Sequence, residues 1–105
     1  MEELKTLVSL LVETELVNAN KKFCPIFHSE HEGYAIIKEE IEEAQEECKY
    51  INHELNCIWD YVKRNKTENA LAHMKNVKEY AINLSAESIQ IGAMCEKFIN
   101  SFETK

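Results

Sequence analysis

The sequence is short of the residues that break or bend a chain. It has two glycines and one proline in 105 residues, so long helices with short connections are expected. Its single arginine, Arg64, and net charge of -7 argue against a phosphate backbone, hence nucleic acid, as a partner. No basic amphipathic stretch suits a membrane surface. The apolar run "LVSLLV" from Leu7 is too short to span a bilayer. Glu2, Glu3 and Lys5 do not make the charged lead of a secretory signal. A cytoplasmic protein is therefore expected. The four cysteines, Cys24, Cys48, Cys57 and Cys95, form no CxxC pair, which disfavours a zinc ribbon or a redox motif. They are expected as buried free thiols.

What is present is an ordinary soluble mixture, 45% hydrophobic and 30% charged. The fold expected is all-α: one domain over residues 1–105, with an N-terminal helix and a long antiparallel helical hairpin. So small a domain has a thin core of its own, so assembly into an oligomeric helical bundle, a homodimer or tetramer, is expected. Apolar periodicity predicts a first helix from Glu2 to Asn20, ended before Pro25. Ser29 followed by Glu32 forms a capping box that opens a second helix running to about Arg64. Asn65 suits the end of that helix and Thr67 the N-cap of a third, from Glu68 to Phe102.

The second helix carries Ile37, Ile41, Ala44, Cys48, Ile51, Leu55, Ile58 and Val62 at alternating spacings of 4 and 3, the pattern of a coiled-coil seam. The third continues it from Ala70 through Leu84, Ser88 and Ile91 to Phe102. A second apolar stripe (Leu71, Ile82, Ile89, Ile99) predicts a further contact, with helix one or another subunit. With the seam assigned to heptad positions a and d, the run "IIKEEIEEAQEE" divides. Glu39, Glu42 and Glu46 fall on the outer face, a solvated charge run. Glu40 and Glu47 fall at g and Glu43 at c. Folding the hairpin about Asn65 and Lys66 brings Glu87, also at g, and Gln90, at c, to the same level. Carboxylates that converge repel one another unless a cation neutralises them. An oxygen-only set with residues at i and i+3 suits Mg²⁺, although a row of screened glutamates along a coiled coil has the same spacing.

These motifs carry a resemblance. "EEIEE", Glu39-Glu40-x-x-Glu43, resembles the EExxE motif of the all-α, MazG-like nucleotide pyrophosphohydrolases. "ESIQ", Glu87-x-x-Gln90, stands where that family has ExxD on the following helix. The likeness covers helices two and three and extends into the lead-in "HSEHEGYAIIKEE". It implies a Mg²⁺ site, with Mn²⁺ as a substitute, held by Glu40, Glu43, Glu87 and Gln90. It also implies a nucleoside triphosphate cut between its α and β phosphates, with Glu39 or Glu47 orienting water. Gln90 departs from the family aspartate: its amide oxygen still ligates, but it adds no charge and cannot act as a base.

Around the cluster, His31 and Tyr34, with Phe27, are candidate walls for a nucleobase, or core and surface residues. Lys97, two turns beyond Gln90, would reach a phosphate or stand solvated. Cys24, His28 and His31 lack a fourth zinc ligand. Three functions follow: a Mg²⁺-dependent nucleotide pyrophosphohydrolase, a non-catalytic nucleotide-sequestering protein of the kind a phage encodes, and a structural helical assembly protein.

Overall fold

Helix boundaries follow local chemistry. The computed structural model describes residues 1–103, and three helices account for most of them: α1 Glu2–Lys22, α2 Glu30–Lys63 and α3 Thr67–Phe102. No strand occurs among the described residues. Lys21 and Lys22 occupy the last turn of α1, where cations complement the helix dipole and carry it two residues past Asn20. Ser29 Oγ accepts from the Glu32 backbone N–H at 3.1 Å, so the capping half of the expected box is made. At the end of α2, Asn65 adopts a left-handed φ of 55°. Its N–H donates to Val62 O, and that of Lys66 to Tyr61 O. This 5→2 and 6→1 pair is a Schellman closure. Lys66 O then accepts from Ala70 N–H, so Lys66, not Thr67, takes the N-cap position and α3 begins one residue earlier than expected.

The chain divides into two compact units, Met1–Ile41 with Glu87–Lys105, and Glu42–Ala86. In the first, Phe27 and Ala93 are almost fully buried. The Phe27 N–H donates to Ser101 Oγ at 3.0 Å, which anchors the α1–α2 connection on α3. Phe27, Phe98 and Phe102 follow one another at centroid separations of 6.5 and 5.0 Å. Gly33 is required by this packing: a Cβ there would lie 2.6 Å from the Phe98 ring and 2.9 Å from Phe27. In the second unit, residues of α2 meet α3 in reverse order. Tyr50 packs on Tyr80 and Tyr61 stacks on His73, each at 5.3 Å.

The inward face is not the a/d seam. Position d turns inward on both helices: Ile37, Ala44, Ile51 and Ile58 on α2, and Ala70, Val77, Leu84, Ile91 and Phe98 on α3 are half-buried or buried. Its companion is g, not a. Glu40, Glu47, Glu54 and Tyr61 on α2, with His73, Tyr80, Glu87 and Met94 on α3, are half-buried. Position a is turned out: Ile41, Leu55, Val62 and Met74 are 40–49% exposed. Phe102 alone at a is half-buried, against Phe98. The rotation brings Tyr61, Glu54, His73 and Tyr80 to half-buried positions, where Tyr61 and Glu54 meet His73 and Tyr80 receives the exposed Tyr50. It also corrects the expectation for the thiols: all are free, but Cys48 and Cys95, at a, and Cys24 are exposed, and Cys57 is half-buried. Helix α1 buries no residue, and Leu4, Leu7, Leu10 and Leu11 are at least half exposed.

Candidate functional site

Glu40 and Glu43 lie one turn apart on the uninterrupted α2 helix, and Glu87 is on α3. One carboxylate oxygen from each lies within 4.8 Å of the other two, an arrangement able to hold a metal ion. Glu40 and Glu87 are half-buried and Glu43 is exposed, so the group is enclosed on one side and open on the other. Glu40 Oε2 is fully shielded from solvent and has no hydrogen-bond partner. The same holds for Glu47 Oε2, one turn beyond Glu43. A buried carboxylate oxygen without a donor is costly, and crowding it against two like charges adds to the cost. A divalent cation relieves both, and an all-oxygen donor set suits Mg²⁺ or Mn²⁺ better than a soft metal. The residues present therefore fit the ion.

Other candidates are placed differently. Gln90 is exposed but lines a pocket together with Glu40, Phe23, Phe27, Met94 and Lys97. The pocket belongs wholly to the first unit and encloses about 310 Å³. Lys97 is 6% exposed, not solvated, and its Nζ stands 4.7 Å from the Phe27 ring centre, a cation–π distance. Tyr34 is 65% exposed and His31 is exposed, and neither lines this pocket. Its aromatic wall comes from Phe23 and Phe27 instead. Glu39 is exposed and is not one of the three clustered carboxylates. Glu46 is also exposed and pairs with Lys49 at 3.2 Å, as a solvated outer face should.

Sequence reasoning missed two features. Helix α1 supplies part of the pocket through Glu15 and Ala19, and its C-cap residue Phe23 adds to it; the unbroken leucine pattern of the helix gave no sign of this. The second is Glu54, hydrogen-bonded to His73 Nδ1 at 2.5 Å. The His73 hydrogen bond holds the Glu54 carboxyl below its ordinary value of 4.5, with Asn76 and His53 assisting. Both residues sit at g, which is where the signal lay.

No family model matches the chain, and neither a curated protein nor a solved structure matches it. No helix among the described residues is long and apolar enough to cross a membrane.

Proposed function

We propose that the protein is a Mg²⁺-dependent nucleotide pyrophosphohydrolase of the cytoplasm, acting on nucleoside or deoxynucleoside triphosphates. The observation that carries this reading is the convergence of Glu40, Glu43 and Glu87 within 4.8 Å, with Glu40 Oε2 buried and unpartnered. These carboxylates, with the neutral oxygen of Gln90, would hold the cation. Mg²⁺ held there would supply positive charge to the triphosphate oxygens. Glu47, whose Oε2 lacks a donor, accepts the proton from the attacking water, a role the exposed Glu39 would serve only from outside. The water oxygen bonds to the α-phosphorus. The bond from that phosphorus to the α–β bridging oxygen breaks, and its electron pair leaves with pyrophosphate.

A second reading, nucleotide capture without turnover, rests on Gln90. It brings a neutral amide where a further carboxylate would polarise water more strongly, yet it lines the same pocket as Glu40. A purely structural role rests only on the exposed apolar stripes.

The same stripes support self-association through an antiparallel helical hairpin. Ile41, Leu55, Val62 and Met74 are 40–49% exposed, an apolar row that a single chain leaves uncovered. A second copy on the outward a positions would cover Leu55, Val62 and Met74.

The test is a nucleotide panel with Mg²⁺ or Mn²⁺, read by pyrophosphate release and by thermal shift. A ligand at 100 times its Kd adds about 2.7 kcal/mol. Glu43→Gln should lose most of the metal-dependent stabilisation and all turnover, and Glu42→Gln should keep both. Equal responses refute the site. Stabilisation with the nucleotide recovered intact selects the capture reading, and no response to any nucleotide leaves the structural role.

A further inference from the structure

The pocket beside the carboxylates has a chemistry of its own, and it lies entirely within one unit. Its floor is apolar and aromatic, from Phe23, Phe27 and Met94. Two charged groups share its wall, Lys97 and Glu15. Lys97 is more than nine-tenths buried, and it forms no ion pair among the described residues, with Glu15 or any other carboxylate. A lysine ammonium is a donor only and a carboxylate an acceptor only. Leaving a buried cation unpaired is expensive unless something else occupies its hydrogen bonds. The Phe27 face compensates part of this, and the three N–H donors still call for an oxygen.

Resting on the nucleotide reading above, we infer that this pocket binds the nucleobase and selects a lactam edge, a ring N–H beside a carbonyl, through Glu15 and Lys97. Uracil, thymine and guanine present that edge. Lys97 donates to the carbonyl oxygen and Glu15 accepts from the ring N–H. Adenine and cytosine place an exocyclic amino group where Lys97 requires an acceptor, and an unprotonated ring nitrogen where Glu15 requires a donor. Phe23, 69% exposed, offers a face for the ring, as base-binding pockets commonly do, while Phe27 holds Lys97 in place. The volume of about 310 Å³ is at the lower end for small-molecule sites, roughly 300–1,000 Å³, and suits a base better than a whole nucleotide. Spacing agrees. Gln90 and Glu40 are at the carboxylate end, and Lys97 is seven residues beyond Gln90 on α3, about 10 Å along the axis. That is the reach from an α-phosphate across a sugar to the far edge of a base.

The experiment is a binding panel by calorimetry. It uses the full chain, Mn²⁺, and non-hydrolysable α,β-imido forms of dUTP, dTTP, dGTP, dCTP and dATP, with inorganic tripolyphosphate as a probe of the carboxylate cluster alone and the five deoxynucleosides as probes of the pocket alone. The three lactam bases should bind roughly tenfold to a hundredfold more tightly than dCTP and dATP, the range for a hydrogen bond to a charged group. Lys97→Met should erase the preference without weakening tripolyphosphate·Mn²⁺ binding. Glu15→Gln, at a half-buried position, should reduce the preference with little risk to folding. If tripolyphosphate binds and the five nucleotides bind alike, the pocket assignment is overturned and the metal site stands. If deoxynucleosides without phosphate show the preference while tripolyphosphate does not bind, the pocket stands and the metal reading falls. A preference that survives both substitutions overturns the roles of Lys97 and Glu15.

Discussion

Replacing Glu40 with glutamine should stabilise the metal-free protein and weaken its response to metal, a reversal of sign that a merely structural glutamate would not give. Two unit charges 4.8 Å apart, the upper limit of the oxygen separations here, repel by about 3.5 kcal/mol at an effective dielectric of 20, and by about 0.9 kcal/mol in water. Glu87 is half-buried and Glu43 exposed, so the first pair lies toward the upper figure and the second toward the lower. Glutamine keeps the shape of Glu40, removes both repulsions and removes the charge from the buried Oε2. Allowing for side-chain relaxation and salt, the net gain should be about 2 kcal/mol. For a chain of this size that raises Tm by on the order of 10 °C. The assay is thermal and urea denaturation in EDTA and in Mn²⁺, at a fixed protomer concentration because self-association shifts Tm by mass action. In EDTA, Glu40→Gln should melt above the parent. In Mn²⁺ the order should invert, because the parent gains the binding free energy and the variant has lost a charged ligand. A variant no more stable than the parent in EDTA, or one that Mn²⁺ stabilises as much as the parent, would refute both the repulsion and the site.

Two further predictions concern the second unit and the outer surface. The Glu54 carboxyl is held below 4.5 by His73, so its contribution is present above that value and lost as pH falls through the lower folded value. Glu54→Gln should therefore flatten the acid limb of a stability–pH profile from urea melts, and an unchanged limb would contradict the Glu54–His73 contact. Leu55, at an outward a position and 49% exposed, should tolerate glutamate within the single chain but not within an oligomer. Leu55→Glu should lower the mass seen by sedimentation while preserving helical content, and a parent that is monomeric at micromolar concentration would refute the self-association.

The helices were legible because their ends are chemically marked. Ser29 with Glu32, Pro25 and Asn65 each act through backbone geometry within a few residues. The carboxylate group was legible too: Glu40 and Glu43 need only one turn of helix, and Glu87 follows from counting through the turn. The inward face was not legible. Positions d and a are both apolar on α2, so periodicity alone leaves the helix free to rotate about d toward either neighbour. What decides it lies across the seam, where Tyr61 and Glu54 find His73, and Tyr50 finds Tyr80. Pairings of that kind leave no trace in a single helix's pattern. The pocket was half legible: Lys97 stood out by its distance from Gln90, but Glu15 and Phe23 come from a helix and its C-cap, and the leucines there gave no hint of a binding role.

Glu40, Glu47 and Glu54 occupy successive g positions on one helix, and their differences carry the functional argument. All three are half-buried, so helix geometry treats them alike. Glu54 is met by His73, a partner that donates to it. Glu40 has Glu43 and Glu87 within 4.8 Å, where ionised carboxylates repel, and Glu47 Oε2 has no donor. A row kept for solubility would point outward and leave the seam to Ile41, Leu55 and Val62, whose burial would stabilise the chain by roughly 1.5–3 kcal/mol for each side chain fully covered. The fold forgoes that burial and turns two undonated carboxylates inward. Within one chain this arrangement is a net cost. A cation at Glu40, Glu43 and Glu87 would offset the charge, and a second copy over the outward a positions would recover the apolar burial. Since one rotation of the helices exposes a and encloses g together, the proposed metal binding and self-association would favour the same state. Each should strengthen the other: Mn²⁺ should raise the association constant of the parent and leave that of Glu40→Gln nearly unchanged.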